Sequence, residues 1–306
     1  MILNFVLHLT HFSDMAKRKR HSRKKHSITT DVLFLLAIIA GLTGWNGCSE
    51  TTGAHESEVP GPPITGKPDD GETVKHYPGL ETVTLPDALP SQIKEYIGFT
   101  ISFNKDNATP NYVAWELLGE EVKNDVERSD NFWTDPDIEG CPSTKDYTRS
   151  GYDRGHMMPA ADAKWSEDVM HATHYLTNIC PQDHKLNAGA WQTVESNCRR
   201  WALRDSALLI VCGPVLSDRL TRTIGESAVP VPERFFKVIL APWAKPPRGI
   251  AFVMPNGAVD GGAQAAAVSI DEVERITGFD FFPALDDSIE DVVEAQCAYH
   301  LWQRRR

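Results

Sequence analysis

Two neighbouring stretches limit the possible folds more than anything else in the chain. Residues 152–162 read YDRGHMMPAAD, and residues 174–204 read HYLTNICPQDHKLNAGAWQTVESNCRRWALR. Asp153, Arg154, Gly155 and His156 stand side by side ahead of Met157-Met158-Pro159, too polar a run for a core strand. Downstream, HYLTNI is strand-like, CPQDHKLN reads as a polar loop, and a helix is expected to start near Ala188. Trp191, Val194, Cys198, Trp201 and Ala202 form its apolar stripe, which makes Trp191 a core residue rather than a stacking platform. Asn187 sits at the mouth of that helix, and Glu195 follows eight residues later, roughly 80° round at 100° per residue, so both can face one cleft. A strand bearing His156 is thus followed by a second strand and then by a helix bearing Asn187.

The rest of the chain alternates irregularly. YIGFTISFN (96–104) and NYVAWELL (111–118) read as strands joined by the turn-rich KDNATP, and SALLIVCGPV (206–215), RFFKVILAPW and GIAFVMPN read as three more. SIDEVERITG (269–278) reads as a helix with Ser269 as N-cap, Glu272 three residues on and Gly278 as the stop. Without a βαβ rhythm the expected class is α+β.

Charge is unevenly placed. The 306 residues carry a formal net charge of −11, but residues 1–48 hold seven Lys/Arg against two Asp, which leaves 24 against 40, or −16, in the remainder. Such a body repels nucleic acid at long range, so a polyanion would need a local basic cleft. Lys145, Arg149, Lys185, Arg199 and Arg200 are candidates for it, against ordinary solvated surface. The basic run Lys17–Lys25 followed by the apolar Val32–Leu42 reads as a signal peptide or membrane anchor over residues 1–48, with Cys48 near a lipidation position. Residues 49–79 read as a disordered linker and 80–306 as the folded domain. The expected location is secreted, periplasmic or membrane-tethered, facing outside the cytoplasm. For Cys141, Cys180, Cys198, Cys212 and Cys297, one or two disulfides and five reduced thiols stand as alternatives.

DRGHMMPAAD followed by TNICPQDHKLNAGAWQTVE resembles the DNA/RNA non-specific endonucleases of the ββα-metal (His-Me finger) fold. The likeness covers about residues 95–285; NKDNATPNYVAWEL, ERSDNFWTDPDI, FFKVILA and FVMPN also fall in family order. The resemblance implies a central, mainly antiparallel sheet flanked by helices. It implies His156 as the catalytic base, Asn187 as the sole direct protein ligand of Mg²⁺ (with Mn²⁺ as a substitute), and Arg154, Asn178 and Glu195 as supporting site residues. It aligns Arg128 with a phosphate-contacting arginine, and it puts His174 where the family often has Phe. DNA and RNA are the implied substrates, bound through phosphate, and a homodimer is an implied assembly.

The chemistry of these residue types agrees. Phosphodiester hydrolysis needs a base for water, and an imidazole with a pKa near 6.5 is largely neutral at pH 7. A hard cation supplies Lewis acidity, and Mg²⁺, which sheds water reluctantly, can be held by one neutral Asn plus waters, with Glu195 orienting one of them. Arg154 and Arg128 can clamp phosphate oxygens. Asp153 is expected to anchor the strand rather than act as an acid. Two rival readings are a zinc site made by His171, His174, Cys180 and His184 and a catalytically silent nucleic-acid-binding or interaction module.

Overall fold

The computed structural model describes residues 79–216 and 222–303. The leader expected over residues 1–48 and the linker over 49–79, save Gly79, lie outside the described residues, as does Cys48. Among the described residues no helix is long and apolar enough to cross a membrane.

A seven-stranded antiparallel sheet organises the domain. Its strands are β1 (Gln92–Tyr96), β2 (Phe99–Asn104), β3 (Thr109–Leu118), β6 (Ala207–Val215), β7 (Arg234–Ala241), β8 (Arg248–Pro255) and the short β9 (Ala267–Val268), and they lie in the order β9-β8-β7-β6-β3-β2-β1. Two further strands, β4 (Asp153–His156) and β5 (Ile179–Gln182), form a separate antiparallel pair. The helices that matter below are α1 (Glu167–Thr173), α2 (Gln192–Asp205), α3 (Ile270–Thr277) and α4 (Asp287–Glu294).

The central strands are apolar on both faces, as a sheet covered on both sides requires. Along β6, Leu208, Ile210 and Cys212 enter the core beneath α2, while Leu209 and Val211 enter the core beneath α3 and α4. On β7, Phe235 and Ile239 share the first face, and so, by the two-residue repeat, does Lys237. Every residue from 119 to 206 is an excursion between two neighbouring strands. It leaves β3 after Leu118 and re-enters β6 at Ala207, which is the residue paired with Leu118. Gly119 N donates to Ser206 O at 2.8 Å and closes the excursion at its neck.

Three sequence expectations need revision. The strand expected over 96–104 is interrupted: β1 ends at Tyr96, Gly98 takes φ +89°, and the chain doubles back into β2. HYLTNI is not a strand. His174 follows the end of α1, Leu176–Asn178 make a 3₁₀ turn, and the strand is ICPQ, part of which had the look of a loop. The helical turns begin at Leu186, before Ala188, with a wide turn over Leu186–Trp191 that Gly189 interrupts ahead of α2. The stripe on α2 is buried as expected, and Ser269 caps α3 by accepting from Glu272 N at 3.1 Å. Cys141, Cys180, Cys198, Cys212 and Cys297 are all free, which corrects the disulfide alternative. Burial raises the thiol pKa of the three innermost, Cys180, Cys198 and Cys212.

Candidate active site

The site grows from the β4–β5 pair, whose register sets His156 opposite Ile179 and Gly155 opposite Cys180. The close approach of these strands requires Gly155, because a Cβ there would lie under 3.0 Å from the Gln182 side chain. His156 ends β4 only 8% exposed. Its ring packs edge-on against His174 with centroids 4.9 Å apart and tilts against Phe132 at 5.4 Å. Burial, then His174 and Arg128, hold the His156 pKa well below the ordinary histidine value, so the imidazole is neutral at pH 7. His156 Nε2 has no hydrogen-bond partner. His174 is fixed separately through Nδ1, 2.8 Å from Met170 O.

The three residues leaving β4 are fastened by side chains from several elements. Trp191 Nε1 donates to His156 O at 3.3 Å. Met157 O accepts from Cys212 Sγ at 3.2 Å and from Lys237 Nζ at 3.4 Å. Asn178, wholly buried, accepts from Met158 N at 2.9 Å through Oδ1 and donates through Nδ2 to Met158 O at 2.9 Å and Thr173 O at 2.8 Å. The Asn178 amide is therefore engaged by backbone; it fixes the chain around His156 rather than reaching into the cleft.

Asn187 sits in the wide turn before α2, as its place in the sequence suggests. Its Nδ2 donates to Asp153 Oδ2 at 2.9 Å, and His184 Nδ1 lies 2.8 Å from the same oxygen. A carboxylate accepts only from the NH₂ end of an amide, so Oδ1 is the end of Asn187 left for another partner. Asp153 is thus the anchor it was expected to be. The turn is itself tied down: Asp183 O accepts from Asn187 N at 2.9 Å, and Asp183 N donates to Asn256 Oδ1 at 2.7 Å.

Glu195 lies on α2 with its carboxyl pushed up to about 7 by burial, against the pull of Lys237, Arg199 and Arg128. Arg128 is exposed, yet its charge acts on His156, His174 and Glu195, which brings it to the same cleft. Arg154 stacks its guanidinium 5.3 Å from the Phe132 ring centroid, and its Nη2 makes a long 3.4 Å bond to Thr144 O. Of the basic candidates, Arg199 is committed to Asp162 at 2.8 Å and Arg200 to Asn197, while Lys145, Arg149 and Lys185 are exposed.

The zinc reading fails on geometry. Among the described residues the one group of three or more potential ligands that converges is Asp271, Glu274 and Glu294. His171 instead stacks on Trp133, Cys180 is buried and His184 is held by Asp153. The Asn187 Oδ1 atom suits a hard cation such as Mg²⁺, which prefers oxygen and keeps several waters. Sequence reasoning missed Lys237, Phe132 and Asn256. The signal for Lys237 was a lone lysine inside the apolar run RFFKVILA.

Residues 78–288 match the family described as DNA/RNA non-specific endonuclease. The mitochondrial nuclease EXOG of Danio rerio is 35% identical over 209 residues, covering 62% of this chain and 60% of the relative. The Homo sapiens mitochondrial nuclease EXOG is 33% identical over 241 residues, 73% of this chain and 65% of the relative. This chain therefore spans less than two thirds of the length of these two relatives. A crystal structure of the EndoG/EndoGI complex, concerned with the mechanism of EndoG inhibition, superposes with a TM-score of 0.60 at 31% identity, covering 65% of this chain and 89% of that one. Both EXOG relatives are mitochondrial by name, and this overturns the expectation of a secreted, periplasmic or membrane-tethered protein.

Proposed function

This chain belongs to the DNA/RNA non-specific endonuclease family, and from that premise we propose that it hydrolyses phosphodiester bonds within DNA and RNA in a Mg²⁺-dependent reaction. The observation that carries the reading is the state of His156: a neutral imidazole, fixed by its neighbours, with Nε2 buried yet unpartnered. That is the form a general base requires, and general-base catalysis contributes about 10²- to 10⁴-fold in rate.

In this reading His156 Nε2 takes the proton of the attacking water. Asn187 holds the ion through Oδ1, and Asp153 keeps the amide turned so that Oδ1 is the end presented. When bound, the ion supplies Lewis acidity at the phosphoryl and leaving oxygens. Neutral Asn187 leaves the ion's charge for the phosphate. Arg154 and Arg128 contact phosphate oxygens, and Glu195 accepts hydrogen bonds from water at the site. Asn178 holds Met158, and with it the exit from His156. Contacts centred on phosphate carry no base information, which accounts for weak sequence preference. The names of the relatives favour a mitochondrial location.

The test is degradation of plasmid DNA and of RNA by the full chain, with Mg²⁺, with EDTA, and with Zn²⁺ as the only metal. Cleavage of both substrates in Mg²⁺ alone is expected. Binding without cleavage under all three conditions would overturn the reading in favour of a silent binding module.

A further inference from the structure

Lys237 is the one lysine among the largest fully buried side chains, 1% exposed in the middle of β7. Its ammonium lies 4.3 Å from the ring centroid of Trp191 and 5.0 Å from that of Trp115. It donates to Met157 O at 3.4 Å, one residue beyond His156. Trp191, which it underlies, donates to the His156 carbonyl itself. Burial opposes the ammonium's charge, but Cys212, Glu195, Cys198 and Asp162 outweigh it and raise its pKa; with both thiols neutral at pH 7, Glu195 and Asp162 are the acids it faces there.

Packing does not explain such a residue. Removing a charge from water costs several kcal/mol, and a whole buried ion pair can often be replaced by apolar side chains of similar volume without loss of stability. A methionine would fill the space between the two indoles. Nor is the lysine needed by Asp162, which already has Arg199 at 2.8 Å and Trp115 Nε1 at 3.3 Å. The ammonium bonds the Met157 carbonyl, and its charge acts on Glu195 and Cys212. The charges acting on Glu195 come from Lys237 on β7, Asp162 in the turn after Pro159, Arg199 on α2 and Arg128 in the loop above. Of the three cations, Arg199 is engaged by Asp162 and Arg128 is exposed to solvent. Lys237 alone is both buried and positioned beneath the residue next to His156.

We infer that Lys237 is a positioning residue of the active site: its ammonium, seated between Trp115 and Trp191, ties the main chain beyond His156 to the Glu195 carboxylate and holds the two in one charged arrangement. The inference rests on the reading of His156 and Glu195 as site residues. It makes the seven-stranded sheet, through β7, a working part of the site rather than only its support.

Lys237→Met in the full chain tests it, with thermal midpoint, kcat and KM measured in Mg²⁺. The midpoint should fall in Lys237→Met and recover in part in Lys237→Met/Glu195→Gln, where both partners are gone, and kcat should fall about 10- to 100-fold in Lys237→Met, as for loss of a residue that orients a metal-site group, with KM unchanged. In Lys237→Met/Glu195→Gln the loss should be smaller than the product of the two single losses, because the residues act as a unit. In EDTA, ¹³C NMR of the Glu195 carboxyl should show its titration moving to higher pH in Lys237→Met. A wild-type kcat in Lys237→Met overturns the inference. So do single kcat losses that simply multiply in the double variant, with no recovery of its midpoint. If Lys237→Met does not fold, Lys237→Gln removes the charge while keeping a donor for Met157 O, and the same readings apply. If the wild-type chain itself cleaves nothing, the functional reading falls; Lys237 is then judged by the carboxyl titration, which must move for the inference to stand.

Discussion

Removing the Asn178 side chain should cost more than its small size suggests. Asn178→Ala strips one acceptor and two donations from a wholly buried site. Met158 N–H, Met158 C=O and Thr173 C=O are left without these partners, in residues that are themselves 0–1% exposed. Each unsatisfied group costs about 1–3 kcal/mol, so a loss on the order of 3–9 kcal/mol is expected, a large share of the roughly 5–15 kcal/mol that holds a domain together. Asn178→Asp keeps the shape and the bond from Met158 N but turns an oxygen toward two carbonyls. That clash is relieved only by protonation, so the carboxyl pKa rises in the folded state. A carboxyl with a raised folded pKa contributes its stability below the unfolded value, about 3.9, and loses it as pH climbs through the folded value. Urea unfolding at pH 5 and pH 8 reads both effects: Asn178→Ala weak at each pH, Asn178→Asp markedly weaker at pH 8. Loss of less than about 1 kcal/mol in Asn178→Ala, or a pH-independent Asn178→Asp, would refute the account of how the chain around His156 is held.

Other expectations follow from the same geometry. His156→Ala should lose several orders of magnitude in rate at every metal concentration while still binding DNA, as measured by single-turnover cleavage and by filter binding. Because burial depresses the His156 pKa and the neutral form is the base, loss of the base should come only below the ordinary histidine range, after a smaller fall near pH 7 as the Glu195 carboxyl protonates, which a pH–rate profile will show. Asn187→Ala should be inactive at low Mg²⁺ and partly restored at high Mg²⁺, whereas Glu195→Ala should lose about 10- to 100-fold; a Mg²⁺ titration of both variants separates them. With a net charge of −11 and few exposed cations beside the cleft, cleavage should fall with salt along a log–log slope of about 2 to 4, at roughly 0.9 per phosphate contact, and a slope near ten would reveal a basic surface not described above.

Long apolar runs made β3, β6, β7 and β8 readable, and α3 was readable because Ser269 and Gly278 act as local start and stop signals whatever surrounds them. The break at Gly98 was hidden, since one glycine within an apolar run gives no sign that the chain will turn there. Pro181 disguised β5 as a loop, because a proline is tolerated in a pair of only two strands. His156, Asn187 and Glu195 were legible as a spaced set, and Asp153 as their anchor. Asn178 was placed in the site, but the commitment of its amide to Met158 and Thr173 is a property of the folded backbone. Lys237 was out of reach for the same reason: only when β7 lies beside β6, under Trp191, does a lysine in an apolar strand acquire neighbours that explain it.

The neck of the excursion, where Leu118 faces Ala207 and Gly119 meets Ser206, governs when the site can take shape. The two central strands cannot join until every residue between them has been made, and pairings so distant along the chain are slow to form. His156 and Asn187 lie inside that span, while Cys212 and Lys237, which seat the segment beyond His156, arrive only with the strands that follow it. A nascent or unfolded chain therefore carries the residues of the site without their arrangement. The site's geometry can be completed only together with the sheet.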